Sequence, residues 1–193
     1  MPSVDLVFRL RGSTIPVDHG YALYAALSRL VPALHGAHAI GVQPIRGTYR
    51  GNGLLHLMTF SQLVLHLPDD QIRTYLTLAG KRLDVEGHVL QVGVPTIRAL
   101  RPAATLRARL VTIKGFLESE PFLEATRRQL QSLGIAGEVL LGERRTLRVK
   151  EKQVVGFEVA MTGMTAAESL ILQEQGLGGR RRMGCGVFVP WRG

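Results

Sequence analysis

The chain has 193 residues and carries 24 Lys and Arg against 15 Asp and Glu, a formal net charge of +9. That length accommodates two modules of about a hundred residues, each able to bury a core. The cationic excess draws a polyanion, with nucleic acid first and an anionic membrane surface second. No apolar run approaches the ~20 residues a membrane span needs. The N-terminal residues lack the charged and apolar regions of a signal peptide, and a lone cysteine, Cys185, excludes an internal disulfide and a thiolate metal cluster. A cytoplasmic protein with no membrane attachment is expected.

Val4 to Leu10 places Leu6, Phe8 and Leu10 at alternate positions with Asp5 and Arg9 between, the period of a half-buried strand. Pro16-Val17-Asp18-His19 leads into a helix with apolar positions Leu23, Leu27, Leu30, Val31 and Leu34, for which Asp18 is the expected N-cap. Pro32 kinks or restarts that helix, which holds His35 at a helix end. Ile40 to Ile45 reads as a strand, Gly47 to Gly53 as a basic loop, and Leu54 to Met58 and Gln62 to Leu67 as extended segments. Pro68-Asp69-Asp70 opens a short helix that Gly80 stops, and Lys81 to Leu100 gives strands around a turn at Glu86-Gly87. The first half is therefore βαββαβ.

Arg101-Pro102-Ala103-Ala104 is the expected break, dividing the chain into domains 1–101 and 102–193. The second half repeats the order. Leu106 to Lys114 is a strand, Glu120 to Leu133 a helix, and Val139 to Val149 with Gln153 to Met161 a strand pair. A helix from Thr165 to Gln175 follows, with Thr165 as N-cap and Glu168 completing a capping box, and then a strand from Cys185 to Pro190. Two consecutive βαββαβ units define the α+β class and a tandem ferredoxin-like architecture.

Between that last helix and last strand, Gly176 to Phe188 packs five glycines around Arg180, Arg181 and Arg182. Gly176, Gly178 and Gly179 let backbone approach a ligand without a Cβ in the way, and guanidinium forks suit phosphate oxygens. In nucleotide-cofactor loops a strand leads into the glycines and a helix follows. Here the order is reversed. No cofactor is expected, and a loop lying along a nucleic-acid backbone fits better. A second cluster, Arg144, Arg145, Arg148, Lys150 and Lys152, lies on the strand pair. Period-two geometry puts Arg148, Lys150 and Lys152 on one face of a strand, where they could track phosphates or face solvent. Aromatic residues are few, so base stacking is expected to be secondary to backbone contacts.

Six histidines occur, at 19, 35, 38, 56, 66 and 88. His66 sits in an apolar strand and His88 beside a turn, which suits packing or solvation. His35-Gly36-Ala37-His38 is a small-residue loop whose side chains can face a ligand. No metal is expected, because HExxH, a second histidine pair with zinc spacing and a thiolate pair are all lacking. No GxSxG elbow supports a nucleophilic serine.

Three stretches carry a resemblance. They are Pro16 to Tyr24 running into Pro32-Ala33-Leu34-His35, then Arg109 to Phe116, and above all Gly176 to Gly186. Over nearly the whole chain the sequence resembles the CRISPR-associated repeat-processing endoribonucleases of the Cas six type, and within them the Myxan-subtype group. The resemblance implies tandem ferredoxin-like domains that bind a CRISPR repeat RNA and cut it once, without metal. A general base there helps the 2′-hydroxyl attack the adjacent phosphate, leaving a 2′,3′-cyclic phosphate and a 5′-hydroxyl, so DNA would bind uncut. Catalytic histidines of the family lie at or just beyond the first helix, which places His35 first and His19 second. Tyr24 and Ser28 fall on the His35 side of an ideal helix. Lys150 or Lys152 is a candidate cation for charge developing at phosphorus. A glycine-rich loop before the last strand marks the repeat-associated RNA-binding superfamily at large. The loop therefore leaves open a non-catalytic RNA-binding subunit of a CRISPR effector complex, with other subunits as partners, and more distantly a general RNA binder.

Overall fold

The computed structural model describes residues 2–191 and divides into two compact units, Met1–Ala99 and Leu100–Gly193. In unit 1, β1 (Ser3–Arg11) and β2 (Thr14–Pro16) precede α1 (Gly20–Leu30), and a 3₁₀ turn (Pro32–His35) follows it. Next come β3 (Gly41–Val42), β4 (Thr48–Tyr49), β5 (Leu54–His56) and β6 (Gln62–Pro68). A 3₁₀ turn (Asp69–Gln71) leads into α2 (Ile72–Leu76), β7 (Arg82–Val85) and β8 (His88–Ala99). The main sheet has the order β3-β6-β1-β8-β7, antiparallel throughout, and β2, β5 and β4 form a separate three-stranded sheet.

Alternation explains the main sheet. Leu6 and Phe8 of β1 and Leu63, Leu65 and Leu67 of β6 are fully buried and share one core with Leu23, Leu27 and Leu34. Each such side chain taken from water contributes roughly 1.5–3 kcal/mol. Three expectations need correction. Leu30 stays exposed rather than joining the apolar face. The side chain of Asp18 does not cap α1, where His19 holds the N-cap position without a side-chain cap. The strand expected from Ile40 to Ile45 is paired only at Gly41–Val42. Gln43 still donates to the Val64 carbonyl, but Pro44 has no N–H to continue the ladder. The break at Pro32 is as expected: α1 stops at Leu30 and the 3₁₀ turn restarts the chain toward His35.

Unit 2 comprises β9 (Leu106–Val111), α3 (Ser119–Ser132), β10 (Glu138–Val149), β11 (Lys152–Thr162), α4 (Ala166–Gln175), a 3₁₀ turn (Arg181–Met183) and β12 (Val189–Pro190). Its sheet order is β10-β11-β9-β12. In both units the four strands of the βαββαβ pattern lie second, third, first, fourth across the sheet, which is the ferredoxin-like arrangement. Leu106, Val111, Phe157, Val159 and Met161 bury one sheet face with Phe122, Leu130 and Leu172. Thr165 Oγ1 accepts the Glu168 N–H while the Glu168 carboxylate accepts the Thr165 N–H, so the expected capping box starts α4. The last strand is shorter than expected, since only Val189 and Pro190 pair with β9. Cys185 to Phe188 are buried as loop. Among the described residues, no helix is long and apolar enough to cross a membrane.

Candidate active site and nucleic-acid interface

The proline break gives His35 its setting. Because α1 ends before Pro32, the 3₁₀ turn carries His35 back along the helix. Its Nδ1 lies 3.0 Å from Tyr24 Oη, with the rings edge-to-face at 5.8 Å between centroids. Tyr21 extends the aromatic group, its ring 6.4 Å from that of Tyr24. The imidazole is exposed. When Nδ1 carries the proton and donates to Tyr24 Oη, Nε2 is the nitrogen able to accept one. Either group can donate in this bond, so the hydroxyl orients the ring without fixing which nitrogen carries the proton. Ser28, on the same predicted side of the helix, is buried instead.

His19 is a different kind of histidine. It is 1% exposed, its Nδ1 donates to the Pro16 carbonyl at 2.7 Å, and its Nε2 accepts the Ile45 N–H at 3.0 Å. Both ring nitrogens are hydrogen-bonded to backbone inside the fold, a setting unlike that of exposed His35. The sequence shows the same residue type at the edge of the same helix, and only burial separates the two.

The loop of unit 2 is folded on itself more than it is open. Gly178 and Gly186 have φ of +68° and +64°, and a Cβ on either would collide with the carbonyl of Thr112 or of Leu177. At these two positions the missing Cβ makes room for neighbouring backbone. The Gly179 N–H donates to Thr112 O, the Gly186 N–H to Leu110 O, and the Gly178 N–H to Gln129 Oε1 of α3 at 2.8 Å. The loop therefore runs beside the end of β9, held in place before any ligand arrives.

The three arginines have three settings. Arg180 is exposed with φ +62° and ψ +34°, a left-handed conformation that side chains other than Gly, Asn and Asp rarely take. Arg181 turns inward and donates from Nη2 to the Glu174 carbonyl at 2.8 Å, capping the C-terminal end of α4 with a cation. Burial pushes its guanidinium down to about 10, which leaves it charged at neutral pH. Arg182 is half-buried.

The basic hairpin also departs from expectation. Lys150 and Glu151 form the turn between β10 and β11, Val149 pairs with Lys152, and Lys150 has φ +55°. Arg148, Lys150 and Lys152 therefore do not share one strand face, since the chain reverses among them. Arg145 is drawn into ion pairs with Glu158 at 2.9 Å and Glu143 at 2.9 Å. Glu158 also pairs with Arg107 at 2.6 Å, and the Arg107 guanidinium stacks 5.0 Å from the Trp191 ring centroid. Burial works to raise the Glu158 carboxyl, but hydrogen bonds from Arg107 and Arg145 and their charges outweigh it and hold the group below the usual range. Arg144, Arg148, Lys150 and Lys152 are exposed.

The structure brings the two basic segments of unit 2 together. Cys185 and Met183 of the loop pack with Leu147, Val149 and Val154 of the hairpin and Leu110 of β9. This satellite cluster places the arginine loop beside the hairpin tip. The signal for it was the apolar alternation Leu147-Val149 between the cations, together with the lone cysteine. Gln129 carries no such signal. Among the described residues, no three His, Cys, Asp or Glu side chains come together as a metal-binding group.

A family model described as Cas6 CRISPR matches residues 4–193. The chain belongs to the Cas6 family. It is 42% identical over 190 residues to a CRISPR-associated endonuclease Cas6 of Myxococcus xanthus (strain DK1622), covering 98% of this chain and 82% of that protein. A solved CRISPR-associated protein Cas6 superposes with a TM-score of 0.70 at 14% identity, covering 98% of this chain and 100% of the other. A protein described as a RAMP protein binding different RNA substrates superposes with a TM-score of 0.64 at 14% identity, over 97% of this chain and 98% of that one. At such identity the two solved structures speak to fold alone, and they agree with the ferredoxin-like strand order of each unit.

Proposed function

We propose that the protein is a CRISPR repeat endoribonuclease in which unit 2 holds the RNA and unit 1 supplies proton chemistry through His35. The observation that carries the reading is the exposed imidazole of His35 oriented by Tyr24. The Myxococcus relative, called an endonuclease, and the neighbour called an RNA-binding RAMP protein support it.

In the proposed step, His35 Nε2 takes the 2′-hydroxyl proton and the 2′-oxygen attacks the adjacent phosphorus. The P–O2′ bond forms, the P–O5′ bond breaks, and the departing 5′-oxygen takes a proton from water, leaving a 2′,3′-cyclic phosphate and a 5′-hydroxyl. Basic side chains offset charge building on the phosphoryl oxygens. Lys150, exposed at the hairpin tip, belongs with the cations of unit 2 that meet the RNA. Arg180 and Arg182, with Arg144, Arg148 and Lys152, contact the RNA backbone, and the glycine loop with Arg181 and Arg145 supports them.

The deciding experiment incubates repeat RNA with the full chain in EDTA and repeats the assay with His35→Ala, Lys150→Ala and a repeat carrying a 2′-deoxy nucleotide at the cut. Cleavage by wild type in EDTA, loss with His35→Ala, and binding without cleavage of the deoxy repeat are expected. Tight repeat binding with no cut by wild type would replace this reading with that of an RNA-binding effector subunit. Undiminished cleavage by His35→Ala would remove that residue from the mechanism.

A further inference from the structure

The small sheet of unit 1 takes no part in the chemistry above, yet it presents an unusual surface. Tyr49 on its edge strand β4 is 61% exposed, and Phe60, just past β5, is 54% exposed. Arg46 and Arg50 flank Tyr49 and are exposed as well. No Asp or Glu occurs between Asp18 and Asp69, so the segment carries its arginines without a carboxylate of its own.

This surface is built rather than loose. Tyr49 lies in register with Leu55, and Leu55 with the fully buried Ile15, so an apolar row runs from the core out to the exposed ring. The turn bearing Phe60 is pinned by the buried Ser61, whose Oγ accepts the Met58 N–H at 2.9 Å and donates to the Arg46 carbonyl at 2.6 Å. Phe60 and Arg46 are thereby held on neighbouring backbone.

Exposed aromatic rings and arginines on one segment that carries no carboxylate of its own match one chemistry well. Unpaired nucleobases stack on rings, and the phosphates between them meet cations. A paired helix offers no free base faces for such rings. We propose that the hairpin β4–β5 and the Met58–Ser61 turn form a binding site for a single-stranded RNA segment. Tyr49 and Phe60 stack on bases there, and Arg46 and Arg50 contact phosphate. The site rests on the RNA-binding reading above and adds a substrate class to it: RNA that has an unpaired stretch beside any paired one.

The test measures fluorescence anisotropy of the full chain with a labelled oligouridine of about twelve nucleotides, a length within the usual span of such sites, and with a blunt, fully paired RNA of the same charge. Tyr49→Ala with Phe60→Ala is expected to weaken oligouridine binding about tenfold or more and to spare the duplex. Tyr49→Phe should restore most of the loss in the Tyr49 single variant. Arg46→Ala with Arg50→Ala should lower the salt slope for oligouridine by about 1 to 2. All four side chains are exposed, and an unchanged melting temperature verifies the fold of each variant. Unchanged oligouridine affinity of the aromatic double variant, or an equal loss on duplex, overturns the site while leaving RNA binding intact. Wild type that binds neither RNA overturns both this inference and the reading beneath it.

Discussion

The two units reach one strand order but hold their sheet carboxylates differently. In unit 1, Asp5 accepts from Arg98 at 2.8 Å and pairs with His66 Nδ1 at 3.2 Å, a hydrogen bond that a neutral imidazole can also donate. Burial works to raise the Asp5 carboxyl, yet hydrogen bonds and charge from His66 and Arg98 bring it below the usual range. In unit 2, Glu158 is bracketed by the guanidinium groups of Arg107 and Arg145. The difference shows that formal charge is not presented charge. Arg145 is ion-paired in place and half-buried Arg181 is turned onto the end of α4, so the basic face of unit 2 is smaller than its arginines suggest.

The sharpest way to break a division of labour between the units is His35→Ala. It should slow single-turnover cleavage about 10²- to 10⁴-fold while leaving repeat affinity within a few-fold. A loss in affinity instead of rate would put His35 on the binding side. Tyr24→Phe should cost less, near tenfold, and shift the pH profile of the rate.

Next in size is the carboxylate contrast. Asp5→Ala leaves buried His66 without its acceptor and is expected to destabilise the protein by about 3 kcal/mol. Glu158→Ala should cost about 1 kcal/mol, because its arginines are partly solvated. Guanidinium unfolding midpoints measure both, and equal losses would erase the contrast. Both carboxyls titrate below their ordinary value near 4. Their stabilisation is therefore fully present above that pH and is lost as pH falls through the depressed folded values. Asp5→Asn should flatten that acid limb of stability.

The smallest effect separates the arginines. Arg180→Ala should reduce the salt slope of RNA binding by about 1 without lowering the melting temperature. Arg181→Ala should lower the melting temperature, because it uncaps α4. The reverse outcome would exchange the two roles.

Both βαββαβ orders were legible in the sequence, because the strand alternation, the capping box at Thr165 and Glu168 and the break at Pro32 are local signals. What was hidden depends on neighbours distant in sequence. Lys150 turns the hairpin with positive φ where no Gly or Asn announces a turn. The glycines between Arg182 and Val187 bend a would-be strand into a buried loop, because a Cβ at Gly186 would strike Leu177 O. His19 and His35 differ only in what surrounds them. Nothing in three consecutive arginines says that the middle one points inward.

The left-handed backbone of Arg180 also bears on engineering. A side chain in that region strains the loop by about 1 kcal/mol relative to glycine. Arg180→Gly should therefore leave a protein at least as heat-resistant that grips RNA less well. Selecting variants for thermal tolerance alone would favour that substitution, so any stabilisation campaign on this scaffold should score RNA retention alongside melting.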